Sequence, residues 1–163
     1  TTLEDPVEIV LPNINQMSLN NKLNINFSTG LRSILRQDPD VIMIGEIRDE
    51  IAANMAIRSA LTGHLVLTSI HSGNCVMAIN RLLELGVNKL QLFDVLKGIS
   101  NQRLYSTISN SKTGVYEVMD RKEVIYYLQN ETTSKSFKSL EERIREAIKN
   151  RIIKEETAKQ DLY

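Results

Sequence analysis

The sequence is short of cysteine, of net charge and of long apolar runs, and each shortage excludes a class of protein. The single cysteine, Cys75, excludes an intrachain disulfide and a cysteine-cluster zinc site, because each needs more than one thiol. Lys and Arg number 20 together, as do Asp and Glu, so the formal net charge is zero. That balance provides no broad basic surface for phosphate backbones, and no direct nucleic-acid binding is expected. No apolar run approaches the ~20 residues that cross a bilayer, and no signal-peptide pattern is visible. A cytosolic compartment fits these absences. The chain also lacks an initiator Met: Thr1-Thr2-Leu3 runs at once into Glu4-Asp5-Pro6, like the tail of a strand whose beginning is missing. The expectation is a piece of a longer protein.

What is present is ordinary globular material. The chain has 163 residues, 42% hydrophobic and 25% charged, enough to bury a core. Its organising stretch is Asp38-Pro39-Asp40-Val41-Ile42-Met43-Ile44-Gly45-Glu46-Ile47-Arg48-Asp49-Glu50. Val41 to Ile44 is a short unbroken apolar run between Pro39 and Gly45, the pattern of a parallel strand buried on both faces. Its carboxyl end presents Glu46, and open α/β sheets bind ligands beyond the carboxyl ends of their strands. Many nucleotide hydrolases hold Mg²⁺ with a carboxylate delivered there. Taken alone, the stretch fits equally a buried strand followed by an acidic turn.

Around it the pattern alternates. Residues 7–27 read as extended or hairpin structure broken by Asn-rich turns. Ser28 is a candidate cap for a helix through about Gln37, which Asp38-Pro39 stops. Asp49 caps a second helix, ended by Thr62-Gly63. Leu65 to Ile70 reads as a second buried strand, and Asn74 opens a helix to Glu84, closed by Gly86. Leu90 to Ile99 reads as helical. Leu104 to Ile108 and Gly114 to Met119 are candidate strands around a polar turn. From Glu123 the chain is helical and charged, with one apolar stripe of Phe137, Leu140, Ile144, Ile148 and Ile152. The order argues for an α/β core of three layers followed by a small, mainly helical appendage.

Three polar features fall at strand ends: Glu4 and Asp5 after the first, Glu46 after the second, Ser69 and His71 after the third. Adjacent parallel strands lie about 5 Å apart, so these groups can converge on one ligand. Two carboxylates there suit a metal-plus-water reaction, one holding the metal through its water shell and the other orienting or deprotonating the attacking water. His64 precedes the third strand and lies roughly 20 Å from His71 along it. Only His71 shares an edge with Glu46. His64 is expected to hold structure, to sit at a subunit contact or to cap the helix ending near Gly63. Arg32, Arg36 and Arg48 flank the central strand. Arginine suits a phosphate held bidentately or reached from a neighbouring subunit, and Arg32 with Arg36 reads equally as a surface pair salted by Asp38 or Asp40.

In sequence order, Thr2-Leu3-Glu4-Asp5-Pro6-Val7-Glu8, Leu31-Arg32-Ser33-Ile34-Leu35-Arg36-Gln37-Asp38-Pro39-Asp40 through Glu46-Ile47-Arg48-Asp49, Leu61-Thr62-Gly63-His64 through His71-Ser72, and Gln102-Arg103-Leu104 resemble the aspartate box, Walker B segment, histidine box and following Gln-Arg-Leu of the secretion ATPase superfamily. These are the assembly motors of type II secretion, type IV pili and DNA-uptake pseudopili. The resemblance covers about residues 1–119. It implies the later portion of a RecA-like P-loop NTPase core over 1–119 and a helical C-terminal subdomain over 120–163. It further implies ATP and Mg²⁺ as cofactors, with Glu4 as the catalytic glutamate, Glu46 as the Walker B carboxylate acting on Mg²⁺ through water, and His71 as the second histidine of its box. Asp5, Arg32, Arg36, Ser69 and Glu46 become the candidate nucleotide contacts. The active form would be a homohexamer, peripheral to the cytoplasmic face of the cell membrane and pushing on a polytopic platform protein.

Two departures qualify the resemblance. No Gly-x-x-x-x-Gly-Lys-[Ser/Thr] occurs, so the phosphate-cradling loop is missing and the chain by itself is expected to bind ATP poorly. The tetracysteine zinc insert that follows Gln-Arg-Leu in many family members is also missing, as in the competence-pseudopilus (ComGA-like) branch. Leu61 before Thr62-Gly63-His64 resembles assembly motors more than retraction motors. The rival expectations are a retraction or conjugative-secretion ATPase, and a non-hydrolysing scaffold of the membrane complex.

Overall fold

A computed structural model describes residues 1–162, apart from the side chains of Asn21 and Gln160. The chain divides into two compact units, residues 1–71 with 80–95 and residues 72–79 with 96–163. The expected boundary after residue 119 thus falls inside the second unit, and Tyr163, the last residue of the expected C-terminal subdomain, lies outside the described residues.

The first unit is built on a parallel sheet of four strands in the order β2 (Gln16–Ser18), β1 (Thr2–Glu4), β3 (Val41–Ile44), β4 (Leu65–Thr68). Paired residues of parallel strands point to the same side, so the register sorts the side chains into two faces. Leu3 is paired with Ile44, and Ile42 with Val66. Leu3, Ile42 and Ile44 face the helical layer and are at most 2% exposed. The opposite face carries Val41, Leu65 and Leu67, exposed at 39%, 49% and 51%. The expectation of buried strands therefore fails on one side of β3 and along all of β4, where Val66 is half-buried and the other three residues are exposed.

Helix α1 (Phe27–Leu35) packs its Gly30 against β1 so closely that an added Cβ would lie 2.8 Å from a Leu3 methyl carbon. Its cap is Asn26, in a reciprocal box with Thr29, rather than Ser28, whose hydroxyl donates to the Met55 sulfur. Arg36 ends α1, and Asp38 turns the chain at φ 51° before Pro39. Helix α2 (Glu50–Leu61) starts where the Asp49 carboxylate accepts the Ala52 amide and ends at Gly63, φ 101°. Of the extended or hairpin structure expected over residues 7–27, the antiparallel part is a single bridge, Asn20 with Ile25. Their strand is the three-residue β2, which pairs parallel to β1, and most of 8–15 is an exposed loop.

Helix α3 (Cys75–Glu84) begins in the second unit and ends in the first, where α4 (Lys89–Val95) follows. In the second unit, β5 (Ile99–Ser106) and β6 (Lys112–Met119) form an antiparallel hairpin. The expected helix to Ile99 stops at Val95, because residues 99–106 alternate outward and inward across a strand longer than anticipated. Helices α5 (Arg121–Asn130), α6 (Leu140–Lys149) and α7 (Glu155–Ala158) complete the unit. Tyr105, Val115, Leu140, Ile144 and Ile153 are among its core residues. From the anticipated apolar stripe, Leu140 and Ile144 are buried, while Ile152 lies beyond α6 and is 49% exposed.

Candidate active site

The carboxyl ends of β1 and β3 are held close together by their backbones. The Gly45 amide donates to the Leu3 carbonyl at 2.8 Å, and an added Cβ at Gly45 would meet the Glu4 Cα at 3.4 Å. A side chain there would crowd the junction, so glycine lets Glu4 and Glu46 leave adjacent strands side by side. The end of β4 is tied in the same way: the Ser69 hydroxyl donates to the Gly45 carbonyl at 2.6 Å, and the Ile47 amide donates to the Ser69 carbonyl at 2.9 Å.

A cavity of about 380 Å³ opens at this rim, with Glu4, Asp5, Gly45, Glu46, Arg48 and Asp49 among its lining residues. Glu4 is the last residue of β1 and is partly buried. Its Oε1 accepts from the Thr2 hydroxyl at 2.5 Å and from the Gln16 amide nitrogen at 3.0 Å. Thr2 lies two residues back on the same face, and Gln16 is Thr2's neighbour on β2. These two donors, Thr2 first, hold the Glu4 carboxyl below its ordinary value, while desolvation opposes them.

Glu46 is engaged from two sides. The Arg48 guanidinium binds its Oε1 and also donates to Asp5 at 2.9 Å, bridging the two strand ends. His71 Nε2 lies 3.3 Å from Glu46 Oε2. The hydrogen bond from Arg48 is the main reason the Glu46 carboxyl lies below its ordinary value, and His71 adds to it. Each carboxylate oxygen retains a further lone pair, so contacts to Arg48 and His71 leave acceptor capacity for a metal-bound water.

The structure therefore brings Glu4, Asp5 and Glu46 to one cavity and His71 to Glu46. Ser69 acts through its bond to Gly45 and does not line that cavity. Arg32 and Arg36 lie exposed on α1 and at its end, and neither lines it either. His64 is remote in role: its Nδ1 lies 3.0 Å from the Ser59 carbonyl and 3.1 Å from the Thr62 hydroxyl, finishing the last turn of α2. Sequence reasoning missed Thr2 and Gln16 as partners of Glu4 and did not see Arg48 as the bridge. The alternation Thr2-x-Glu4 was the available signal for the first. Gln16 required the parallel pairing of β2, which no local pattern announces.

Mg²⁺ fits this donor set. Among the described residues no group of three or more His, Cys, Asp or Glu side chains could hold a metal directly. Mg²⁺ suits one or two carboxylates, because it keeps much of its water and takes remaining oxygens from substrate phosphates.

A parallel sheet with acidic strand ends, covered by helices on one face, defines an α/β fold, and its likeness to solved motor ATPases sets that fold in the P-loop NTPase class. The chain belongs to the Type II/IV secretion system protein family, whose model matches residues 1–161. It is 48% identical over 103 residues to "Type II secretion system protein HxcR" of Pseudomonas aeruginosa, covering 63% of this chain and 22% of that protein. It is 47% identical over 103 residues to "Type IV pilus assembly ATPase TfpB" of Acinetobacter baylyi, covering 63% of this chain and 18% of that protein. In structure it resembles the pilus retraction motor PilT, solved with bound ADP, at a TM-score of 0.79 and 28% identity over 98% of this chain and 51% of that one. The chain thus spans about a fifth of the curated relatives and about half of the PilT chain. No helix among the described residues is long and apolar enough to cross a membrane.

Proposed function

We propose that this chain carries the hydrolytic strand ends of an ATP-driven motor that assembles a pseudopilus, a type IV pilus or a related secretion machine. The observation that carries the reading is the convergence of Glu4 and Glu46 on one cavity, with His71 3.3 Å from Glu46. Bound Mg²⁺ would supply Lewis-acid stabilisation of charge on the transferred phosphoryl group. Glu46 would hold it through water. Glu4, kept ionised by Thr2 and Gln16, would accept a proton from the attacking water or orient it. His71 would report on the γ-phosphate, and Arg48 would keep Asp5 and Glu46 together. Ser69 sets the backbone of this rim. Arg32 and Arg36, exposed and outside the cavity, are suited to a phosphate bound by a neighbouring subunit.

The working protein is then a longer ATPase with its phosphate loop in a segment other than these residues. It forms a homohexamer on the cytoplasmic face of the cell membrane and acts on a polytopic platform protein, without contacting nucleic acid. The missing tetracysteine insert and Leu61 favour a competence-pseudopilus assembly motor. The likeness to PilT over 98% of the chain favours a second reading, a retraction motor with the same chemistry.

The test is Glu46→Gln in the full-length protein. ATP binding should persist within a few-fold while turnover falls ~10²-fold or more, because the metal's water and the nucleophile lose their positions. Unchanged turnover would remove Glu46 from the reaction. A full-length wild-type protein that binds no ATP would favour the scaffold instead.

A further inference from the structure

The cavity at the strand ends has an unbalanced lining. Five carboxylates line it, those of Glu4, Asp5, Glu8, Glu46 and Asp49, and among the described residues Arg48 is the one cation in its wall. Like charges gathered at one rim repel one another and any anion that approaches. Two of the five are committed elsewhere: Glu4 accepts from Thr2 and Gln16, and Asp49 accepts the Ala52 amide. Asp5 and Glu46 are the pair that Arg48 joins, one guanidinium nitrogen on each. Glu46 is divided between its neighbours, with Arg48 at Oε1 and His71 at Oε2. Asp5, Glu46, Arg48 and His71 all belong to the first unit.

The backbone under Arg48 is fixed and its side chain is not. Ile47, 5% exposed, donates its amide to the Ser69 carbonyl, and Asp49 caps α2. The Arg48 side chain is 58% exposed, against 50% for Asp5 and 24% for Glu46. Ion pairs this open to water are individually weak, so the bridge can form and still yield to a stronger cation. A guanidinium keeps its proton at any working pH, so movement alone takes its charge away from the two carboxylates.

We propose that Arg48 is a displaceable counter-ion, competing with Mg²⁺ for the carboxylates of Asp5 and Glu46 and leaving them when the metal binds. The inference deepens the hydrolytic reading above and rests on it for the identity of the metal. Both oxygens of Glu46 keep a further lone pair, so a metal's water can reach Glu46 before the guanidinium has left. Arg48 lowers the apparent metal affinity by the fraction of molecules in which it holds the carboxylates. Mg²⁺ takes its remaining ligands from substrate phosphates, so metal arriving with a nucleotide is the form that overcomes this competition.

The test is metal binding to the full-length protein stripped of nucleotide, with Mn²⁺ as the probe and its free fraction read by electron paramagnetic resonance. Arg48→Met keeps an aliphatic stem, removes the charge and should bind Mn²⁺ about tenfold tighter than the wild type. Arg48→Lys should fall between them, because an ammonium is a point charge and does not span both carboxylates as a fork. Adding Glu46→Gln to Arg48→Met should abolish the gain, because the freed carboxylate is then lost. An unchanged Mn²⁺ affinity in both single variants overturns the proposal, as does a gain that survives Glu46→Gln. No turnover enters these measurements, so the two readings fail separately. ATP hydrolysis by a wild-type protein whose Arg48 variants bind Mn²⁺ no more tightly would strike the counter-ion and leave the ATPase. Tighter Mn²⁺ binding in a protein that hydrolyses no ATP would do the reverse.

Discussion

Burial raises the Glu4 pKa, so its depression must come from its two donors. The Thr2 hydroxyl is the larger cause and the Gln16 amide the second. Both stabilise the ionised form, so folding favours Glu4 as a carboxylate. The sign follows: the hydrogen bonds contribute fully above the ordinary value of 4.5 and their contribution is lost as pH falls through the lower folded value. Thr2→Val keeps the β-branched shape on β1 and removes the donor. It should move the Glu4 midpoint upward, toward 4.5, in a carbon-detected titration of the carboxyl. A midpoint that stays put would transfer the shift to Gln16 alone. Glu46 responds to a different cause, the Arg48 guanidinium, and Thr2→Val should leave its titration alone. At this scale the sequence was readable where a residue's position follows from its strand end, as for Glu4 and Glu46 at one cavity and His71 beside Glu46. It was opaque where the partner arrives by pairing, as with Gln16, or across two strand ends, as with Arg48 between Glu46 and Asp5.

The helices were legible because their ends carry local chemistry. Asp49 accepts the Ala52 amide at 2.8 Å, which satisfies one of the unpaired amides of the first turn of α2. Asp49→Ala should cost about 1 kcal/mol in urea unfolding, and Asn at this position should recover most of it. A loss near zero would mean that the α2 amides find water equally well. Asp49 also lines the cavity, so the stability measurement and not turnover is the cleaner readout. Elsewhere local signals competed. Ser28 read as the cap of α1, but Asn26 takes that place because Thr29 answers it reciprocally at the Asn26 amide, 3.0 Å away. Residues 7–27 misled because Val7-Glu8-Ile9 alternates like a strand. In the fold, Ile9 and Val10 are 69% and 86% exposed, and sheet pairing is confined to three residues further on. Alternation records what a strand would bury; it does not supply the neighbour that does the burying.

For the whole molecule, the main surprise is the one-sided sheet. An unbroken apolar run such as Val41 to Ile44 predicts cover on both faces, yet Ile42 and Ile44 are fully buried while Val41 is 39% exposed. Leu65 and Leu67 continue that open face on β4, and with Ile9, Leu11 and Ile14 nearby it borders a groove of about 620 Å³. The apolar content of the run was thus a true signal of the strand and an unreliable one of its surroundings, because burial is a property of packed layers and not of a segment. The two faces should respond differently to truncation in this chain of 163 residues. Ile44→Ala removes buried methylenes opposite Leu3 and should cost about 2–5 kcal/mol, the transfer term plus a residual cavity. Leu67→Ser removes a side chain already 51% exposed, and its cost should stay near 0.5 kcal/mol or below. Paired urea titrations with equal slopes would measure both. Comparable losses at the two positions would mean that Leu67 is shielded in solution, and that the open face of the sheet closes on itself or on a second copy of the chain, which sedimentation across a concentration series would separate.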